Sequence, residues 1–151
     1  MANFELLKEL TQAWGVAGRE KAVRAIVLRE LEGHVDNAYV DNIGNIIAVK
    51  HGKGGPDSRK IMLSAHMDTV VPGVGVKPTI RDGVIYSDGT TVLGGDDKSG
   101  ICGILEAVRV ILENKLSHRP AEIIFSIGEE GGMRGAKAFD CTQLAARRAY
   151  I

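Results

Sequence analysis

An α/β fold, a three-layer sandwich around a mixed and mostly parallel sheet, is the architecture this sequence predicts. Three observations carry it. Residues 60–65 and 121–126 are short apolar runs bounded by turn-forming residues, the pattern of strands buried on both faces. Between them Ile101, Ile104, Leu105, Val108, Ile111 and Leu112 recur at the spacing of one helix face. The element order is helix pair, strands, long helix, strand, helix, which argues for helices layered on a sheet.

The elements follow in order. A helix is expected over 4–14, capped by Asn3 and broken by Gly15 and Gly18. A second spans 20–32, with Val23, Ile26, Val27 and Leu31 on one stripe and Gly33 as its stop. Tyr39-Val40 and residues 46–49 read as strands around a turn at Asn42-Ile43-Gly44-Asn45, and 52–56 as a loop. Residues 71–77 are irregular. Thr79-Ile80 and residues 84–86 flank Arg81-Asp82-Gly83, a second hairpin signal. The long helix runs on from Lys98. Short helices are expected near 134–139 and 142–147, and Ala149-Tyr150-Ile151 begins a further strand.

A chain of 151 residues fits one domain that can bury a core. Nineteen basic residues balance nineteen acidic ones and are scattered along the chain, so no basic face for nucleic acid or anionic lipid is expected. No apolar run approaches the ~20 residues of a membrane span, and the first residues lack the pattern of a signal peptide. Cys102 and Cys141 lie far apart, which argues against a disulfide framework and for a reducing cytoplasm. Cys102 falls on the apolar stripe of the long helix and is expected to be buried and inert.

Three segments carry chemistry. In Ala65-His66-Met67-Asp68-Thr69, residues two apart share a face in extended backbone, so Asp68 can accept the second ring N–H of His66 and fix it as a metal ligand. Gly94-Gly95-Asp96-Asp97-Lys98 opens a helix, where the amino-terminal end favours negative charge and one carboxylate can span two metals. Glu129-Glu130-Gly131-Gly132 follows an apolar strand. Two adjacent carboxylates there can divide the labour, one binding metal and the other acting as general base. Taken singly, each segment has an ordinary reading: a hydrogen-bonded surface His-x-Asp, an acidic helix start, a solvated acidic turn. Taken together, all three fall at the end of one sheet where such folds gather their sites, and they point to a metal centre. His34, His51 and His118 are expected to be exposed loop residues outside this set, Asp88 a turn residue, and Lys98 a partner of a nearby carboxylate or a cap of local carbonyls.

Ala65-His66-Met67-Asp68-Thr69-Val70, Gly95-Asp96-Asp97-Lys98-Ser99-Gly100 and Glu129-Glu130-Gly131, in that order, resemble the motifs of the M20 metallopeptidases, in particular the peptidase T (tripeptide aminopeptidase)-like branch. Gly15-Val16-Ala17-Gly18-Arg19-Glu20 is similar to the helix-breaking opening of the same proteins. The resemblance implies a zinc-exopeptidase-like fold and a site for two Zn2+ ions, with Co2+ or Mn2+ as substitutes. In it His66 binds one zinc and Asp68 orients His66. Asp96 bridges the zincs, with a cis peptide to Asp97, Glu130 binds the second zinc, and Glu129 is the general base. It implies a short peptide as substrate and a cytoplasmic homodimer as the whole protein. The family's site also uses a carboxylate just past the strand begun at 149–151 and a histidine near the C-terminus.

Residues 1–151 are therefore expected to be the N-terminal portion of a catalytic domain, truncated before its remaining ligands and without the lid or dimerisation domain. Such a chain should bind metal weakly, turn over little, and self-associate through its open sheet. Two other readings stay open: another amide hydrolase of the same superfamily, such as an N-deacylase or carboxypeptidase, and a non-catalytic α/β domain. A nucleotide-binding domain is disfavoured, since G-x-G-x-x-G is lacking and Asp96-Asp97 repels phosphate.

Overall fold

The computed structural model describes residues 4–53 and 59–151. The expected cap at Asn3 and most of the loop at 52–56 lie outside these residues. Helices α1 (Phe4–Gln12) and α2 (Lys21–Leu31) come first. Strands β1 (Asn37–Val40), β2 (Ile46–Lys50) and β3 (Ile61–His66) follow, then the hairpin β4 (Thr79–Arg81) and β5 (Val84–Tyr86). The long helix α3 (Gly95–Glu113), strand β6 (Ala121–Ser126), helix α4 (Arg134–Ala138), a single 3-10 turn (Cys141–Gln143) and strand β7 (Ala149–Tyr150) complete the order.

The main sheet has the order β1-β2-β6-β3-β7. β6, β3 and β7 are mutually parallel, β2 is antiparallel to β6, and β1 is antiparallel to β2. Four of the five strands thus run one way and only β2 runs against them, the mixed and mostly parallel sheet expected from the sequence. Alternation along the strands sends Ala48, Ala65, Ile123 and Phe125 to one face, where they meet Leu6, Leu10, Val23, Val27, Leu31, Ile101 and Leu105 of the three main helices. Each such Leu, Ile, Val or Phe side chain contributes on the order of 1.5–3 kcal/mol by leaving water. Cys102 is buried in this helical layer and Cys141 is exposed, and neither is in a disulfide. The other face buries Ile47 and Ile124.

Local chemistry explains the turns. The Asp41 carboxylate accepts the N–H groups of Ile43, Gly44 and Asn45, closing the β1–β2 turn. In the β4–β5 hairpin Asp82 and Gly83 both have positive φ, at 51° and 77°, as a two-residue hairpin turn that follows strand twist demands.

The helix expected over 142–147 does not form. Glu122, on β6, is buried, and its carboxylate accepts the N–H groups of Ala145 and Ala146 at 2.9–3.2 Å. Glu122 thereby ties the main chain at 145–146 to β6 and takes the Ala146 N–H that such a helix would use, and the segment runs without helix beyond the 3-10 turn. Burial works against the Glu122 charge, but these two N–H groups and Lys60 outweigh it and hold its pKa below the usual carboxylate value. A depressed folded-state pKa contributes stability that is full above the unfolded pKa of about 4.3 and is lost as pH falls through the folded value. We therefore expect acid unfolding to steepen below about pH 4, and Glu122→Gln to flatten that limb. Thermal melts between neutral and acidic pH measure it, and parallel pH profiles for the two proteins would refute the assignment.

The histidines need one correction. His51 is exposed as expected, but His34 and His118 are half-buried. His118 exchanges main-chain hydrogen bonds with Lys53, and its Nδ1 lies 2.9 Å from the Arg119 carbonyl oxygen. Nδ1 of His34 is buried without a hydrogen-bond partner among the described residues. His34 lies in the turn after α2 and His118 in an isolated bridge with Lys53, placements that loop position in the sequence does not disclose.

Candidate metal centre

β3 and β6 pair in parallel with His66 opposite Ser126, so the chain leaves both strands at the same end of the sheet. His66 is the last residue of β3, and Glu129-Glu130 lie three and four residues beyond Ser126. The start of α3 reaches the same place. Gly94 adopts the left-handed conformation, at φ 74°, ψ 27°. The Asp96–Asp97 peptide is cis, and neither residue has helical dihedrals, so regular helix begins at Lys98 as the sequence indicates.

The three segments converge. Nε2 of His66 lies 3.0 Å from Oδ1 of Asp96 and 3.9 Å from Oε2 of Glu129. One ligand atom each from His66, Asp96 and Glu130 fall within 4.8 Å of one another. The Asp96 side chain is 84% exposed and that of His66 only 12%, so the imidazole forms the floor and the carboxylates the open rim.

Asp68 is fully buried at the hub, in a role the sequence only half discloses. The Nδ1–H of His66 points to the Asp68 main-chain oxygen at 2.9 Å, while the Asp68 carboxylate lies 3.6 Å from Nδ1. That carboxylate instead accepts the N–H groups of Glu129 and Glu130, at 2.9 and 3.0 Å. One residue thus orients the ring through its backbone and holds the paired glutamates through its side chain. Shared faces at i and i+2 foretell that Asp68 lies beside the ring, but the expected acceptor was its carboxylate and the main-chain oxygen takes that place; nothing local foretells the second contact.

Two supporting residues, Asp97 and Glu20, have no role in the sequence pattern, and Lys98, expected beside a carboxylate, is buried as well. Asp97 accepts the N–H of His66 at 3.3 Å and that of Gly100 at 3.1 Å. Glu20 is buried and accepts the N–H groups of Gly18 and Gly128, tying the glycine break after α1 to the end of β6. Lys98 is 1% exposed, and its ammonium lies beside Gly15 and Gly94 and interacts with the charge of Asp68. An acidic residue at a helix start and a lysine next to an acidic pair were the only signals for them.

The electrostatics suit a cation. Burial works against an imidazolium at His66, but the Asp68 carboxylate and carbonyl, with Asp97, raise its pKa to about 9. Burial would raise the pKa of Asp68, yet His66 and the N–H groups of Glu129 and Glu130 hold it below the usual range. Asp97 moves up, through burial first and the Asp96 charge last. Lys98 is pushed down to about 8 by burial, against the pull of Asp68. The negative surroundings that favour an imidazolium also favour a cation, and one imidazole with two carboxylates is a donor set that zinc accepts.

Gly100 tests how rigid this support is. A helical Gly→Ala change ordinarily stabilises by about 0.5–1 kcal/mol. Here the added Cβ would collide with Oδ1 of Asp97 and come within 2.9 Å of its Cγ. We expect Gly100→Ala to lower Tm and weaken metal uptake, measured by thermal melts and elemental analysis. A raised Tm with unchanged uptake would refute it.

Known proteins share this fold and parts of this sequence. Residues 62–148 match the peptidase family M20/M25/M40, more than half of the chain. The chain belongs to peptidase family M20. Residues 2–26 also match a family named AMPT. The Bacillus subtilis protein YqjE is 44% identical over 107 residues, covering 71% of this chain and 28% of that protein. Aminopeptidase PepT from Bacillus cereus superposes with a TM-score of 0.90 at 36% identity, covering 99% of this chain and 43% of the other. A tripeptidase from Staphylococcus aureus gives a TM-score of 0.90 at 33% identity, with 97% and 41% covered. The chain thus spans well under half the length of these relatives. No helix among the described residues is long and apolar enough to cross a membrane.

Proposed function

We propose that residues 1–151 form the N-terminal portion of the catalytic domain of a two-zinc, peptidase T-like aminopeptidase that hydrolyses amide bonds of short peptides. The observation that carries this reading is the convergence of His66, Asp96 and Glu130 within 4.8 Å, with Glu129 at 3.9 Å from the same imidazole. His66 would hold one ion, Glu130 the other, and Asp96 would span both. When bound, zinc supplies Lewis-acid polarisation of the scissile carbonyl and lowers the pKa of water.

The remaining work falls to this chain. Glu129 takes a proton from the attacking water and returns it to the leaving amine. Its main chain is pinned by Asp68, while its side chain, 41% exposed, faces the open rim where substrate arrives. With Asp96 shared, three donors give each of two ions two protein ligands, where a catalytic zinc normally has three. The remaining ligands would come from sequence outside residues 1–151, as would a lid or dimerisation domain. A homodimeric whole protein and a cytoplasmic location belong to the same proposal; the exposed Tyr150 on the edge strand β7 supports a sheet that continues or pairs.

The experiment is a substrate panel with metal control. The whole protein should cleave tripeptides with a free amino terminus, lose activity to a chelator and regain it with zinc. The 151-residue chain alone should bind zinc weakly and turn over little. Chelator-resistant cleavage would overturn the metal assignment. Preference for N-blocked substrates would place the protein among N-deacylases or carboxypeptidases instead.

A further inference from the structure

The opposite end of the sheet holds a second concentration of charge. Three parallel strands stand side by side in the order β6-β3-β7, and each is preceded by basic residues: Arg59-Lys60 before β3, Arg119-Pro120 before β6, Arg147-Arg148 before β7. The register sets Ile61 opposite Ala121 and Met62 opposite Ala149, so the three leading segments begin at one level. Residues scattered over nearly ninety positions of sequence thereby surround one cavity of about 330 Å³, lined by Arg59, Lys60, Arg119, Arg147 and Arg148 with Ile61 and Ala145.

No acidic side chain lines the cavity among the described residues. Glu122 lies beneath it, 3.2 Å from Lys60, but spends its carboxylate on the N–H groups of Ala145 and Ala146 as well. Arg59 and Arg119 have other partners too, so Arg147 and Arg148 are the residues to vary. With Lys60 paired to Glu122 and Arg59 and Arg119 engaged elsewhere, Arg147 and Arg148 set two adjacent guanidinium groups in a recess without a carboxylate in its lining, an arrangement that like-charge repulsion opposes. Guanidinium groups match phosphate oxygens in paired hydrogen bonds.

We propose that this cavity is a binding site for a small phosphate-bearing anion of pyrophosphate size, separate from the candidate metal centre at the other end of the strands. Its volume is at the lower limit of small-ligand pockets, and its cations sit in a recess, so it suits a compact dianion or trianion better than an extended polymer. The proposal does not depend on the peptidase reading.

Calorimetric titration of the metal-free 151-residue chain with inorganic pyrophosphate tests it, in buffer containing a chelator so that the metal centre does not contribute. We expect saturable binding of one anion per chain that weakens steeply with added salt. Arg147→Ala with Arg148→Ala should weaken it at least tenfold, and Arg147→Lys with Arg148→Lys should retain most of it. Circular dichroism of each variant establishes folding, and Arg119→Ala alone serves if the double variant fails to fold. Absence of saturable binding, or equal binding by the alanine variant, overturns the proposal. Binding of heparin, RNA or anionic vesicles without pyrophosphate also overturns it, since the surface would then read a polymer or a membrane.

Discussion

Asp68→Ala is expected to lower Tm by about 10 °C. The Asp68 carboxylate is fully buried and accepts two main-chain N–H groups, from Glu129 and Glu130. Hydrogen bonds to a charged acceptor contribute about 1.5–3 kcal/mol each, and their donors would be left without partners. The loss is about 3–5 kcal/mol, and a domain of this size moves about 2–4 °C per kcal/mol. Two further costs act in the same direction: the Lys98 ammonium stays buried without the opposing charge that favours it, and a small cavity opens. Asp68→Asn keeps one acceptor oxygen but sets an amide NH2 where the second N–H points, so about half the loss is expected. Thermal melts measure the first effect, and hydrogen exchange at the Glu129 and Glu130 amides localises it. A shift of only ~2 °C for the alanine variant, within what one kcal/mol produces, would show that the glutamate turn does not hang on this carboxylate.

This buried carboxylate also marks the boundary of what the sequence disclosed. His66, Asp96 and the glutamate pair were legible because each sits at a chain position whose geometry is local: the end of an apolar strand, the start of an amphipathic helix, the end of another strand. Parallel pairing of β3 with β6 then brings the ends together, and a βαβ order is enough to predict that. The contact between the Asp68 carboxylate and the main chain at Glu129 spans sixty-one residues, and no pattern in either segment encodes it. Burial of Lys98 is hidden for a related reason. Its room is made by Gly15 and Gly94, where a Cβ would lie 3.4 and 3.8 Å from Nζ, and both glycines read locally as helix punctuation.

The misplaced helix over 142–147 has the same origin. Local propensity favoured it, and a single tertiary acceptor, Glu122, ties the main chain at 145–146 to β6 instead. The basic cavity is the strongest case. Along the chain its five cations look dispersed and predict no basic face; the strand register alone assembles them. Local pattern therefore located the converging side chains and the strands, and long-range register supplied the support around them.

Within the proposed enzyme, Glu129→Gln should reduce turnover by about 10²–10⁴-fold, the usual contribution of a positioned general base, while zinc content stays near that of the parent. Glu130→Ala should instead lose metal, and activity with it. The two residues are adjacent, and both main-chain N–H groups bind Asp68, so their backbones are held alike. Their side chains are not placed alike. Glu130 offers an oxygen to the set formed with His66 and Asp96, whereas Glu129 stands beside that set, its Oε2 3.9 Å from His66 Nε2. The amide of Glu129→Gln keeps size and shape but cannot accept a proton from water at neutral pH, so it separates proton transfer from metal binding. Elemental analysis and peptide turnover on the same preparations read the two effects independently. In the 151-residue chain, where turnover is not expected, the metal half of the contrast remains measurable: Glu130→Ala and His66→Ala should reduce zinc uptake and Glu129→Gln should not. Equal loss of zinc from Glu129→Gln and Glu130→Ala would assign both carboxylates to the metal and leave the water without a base.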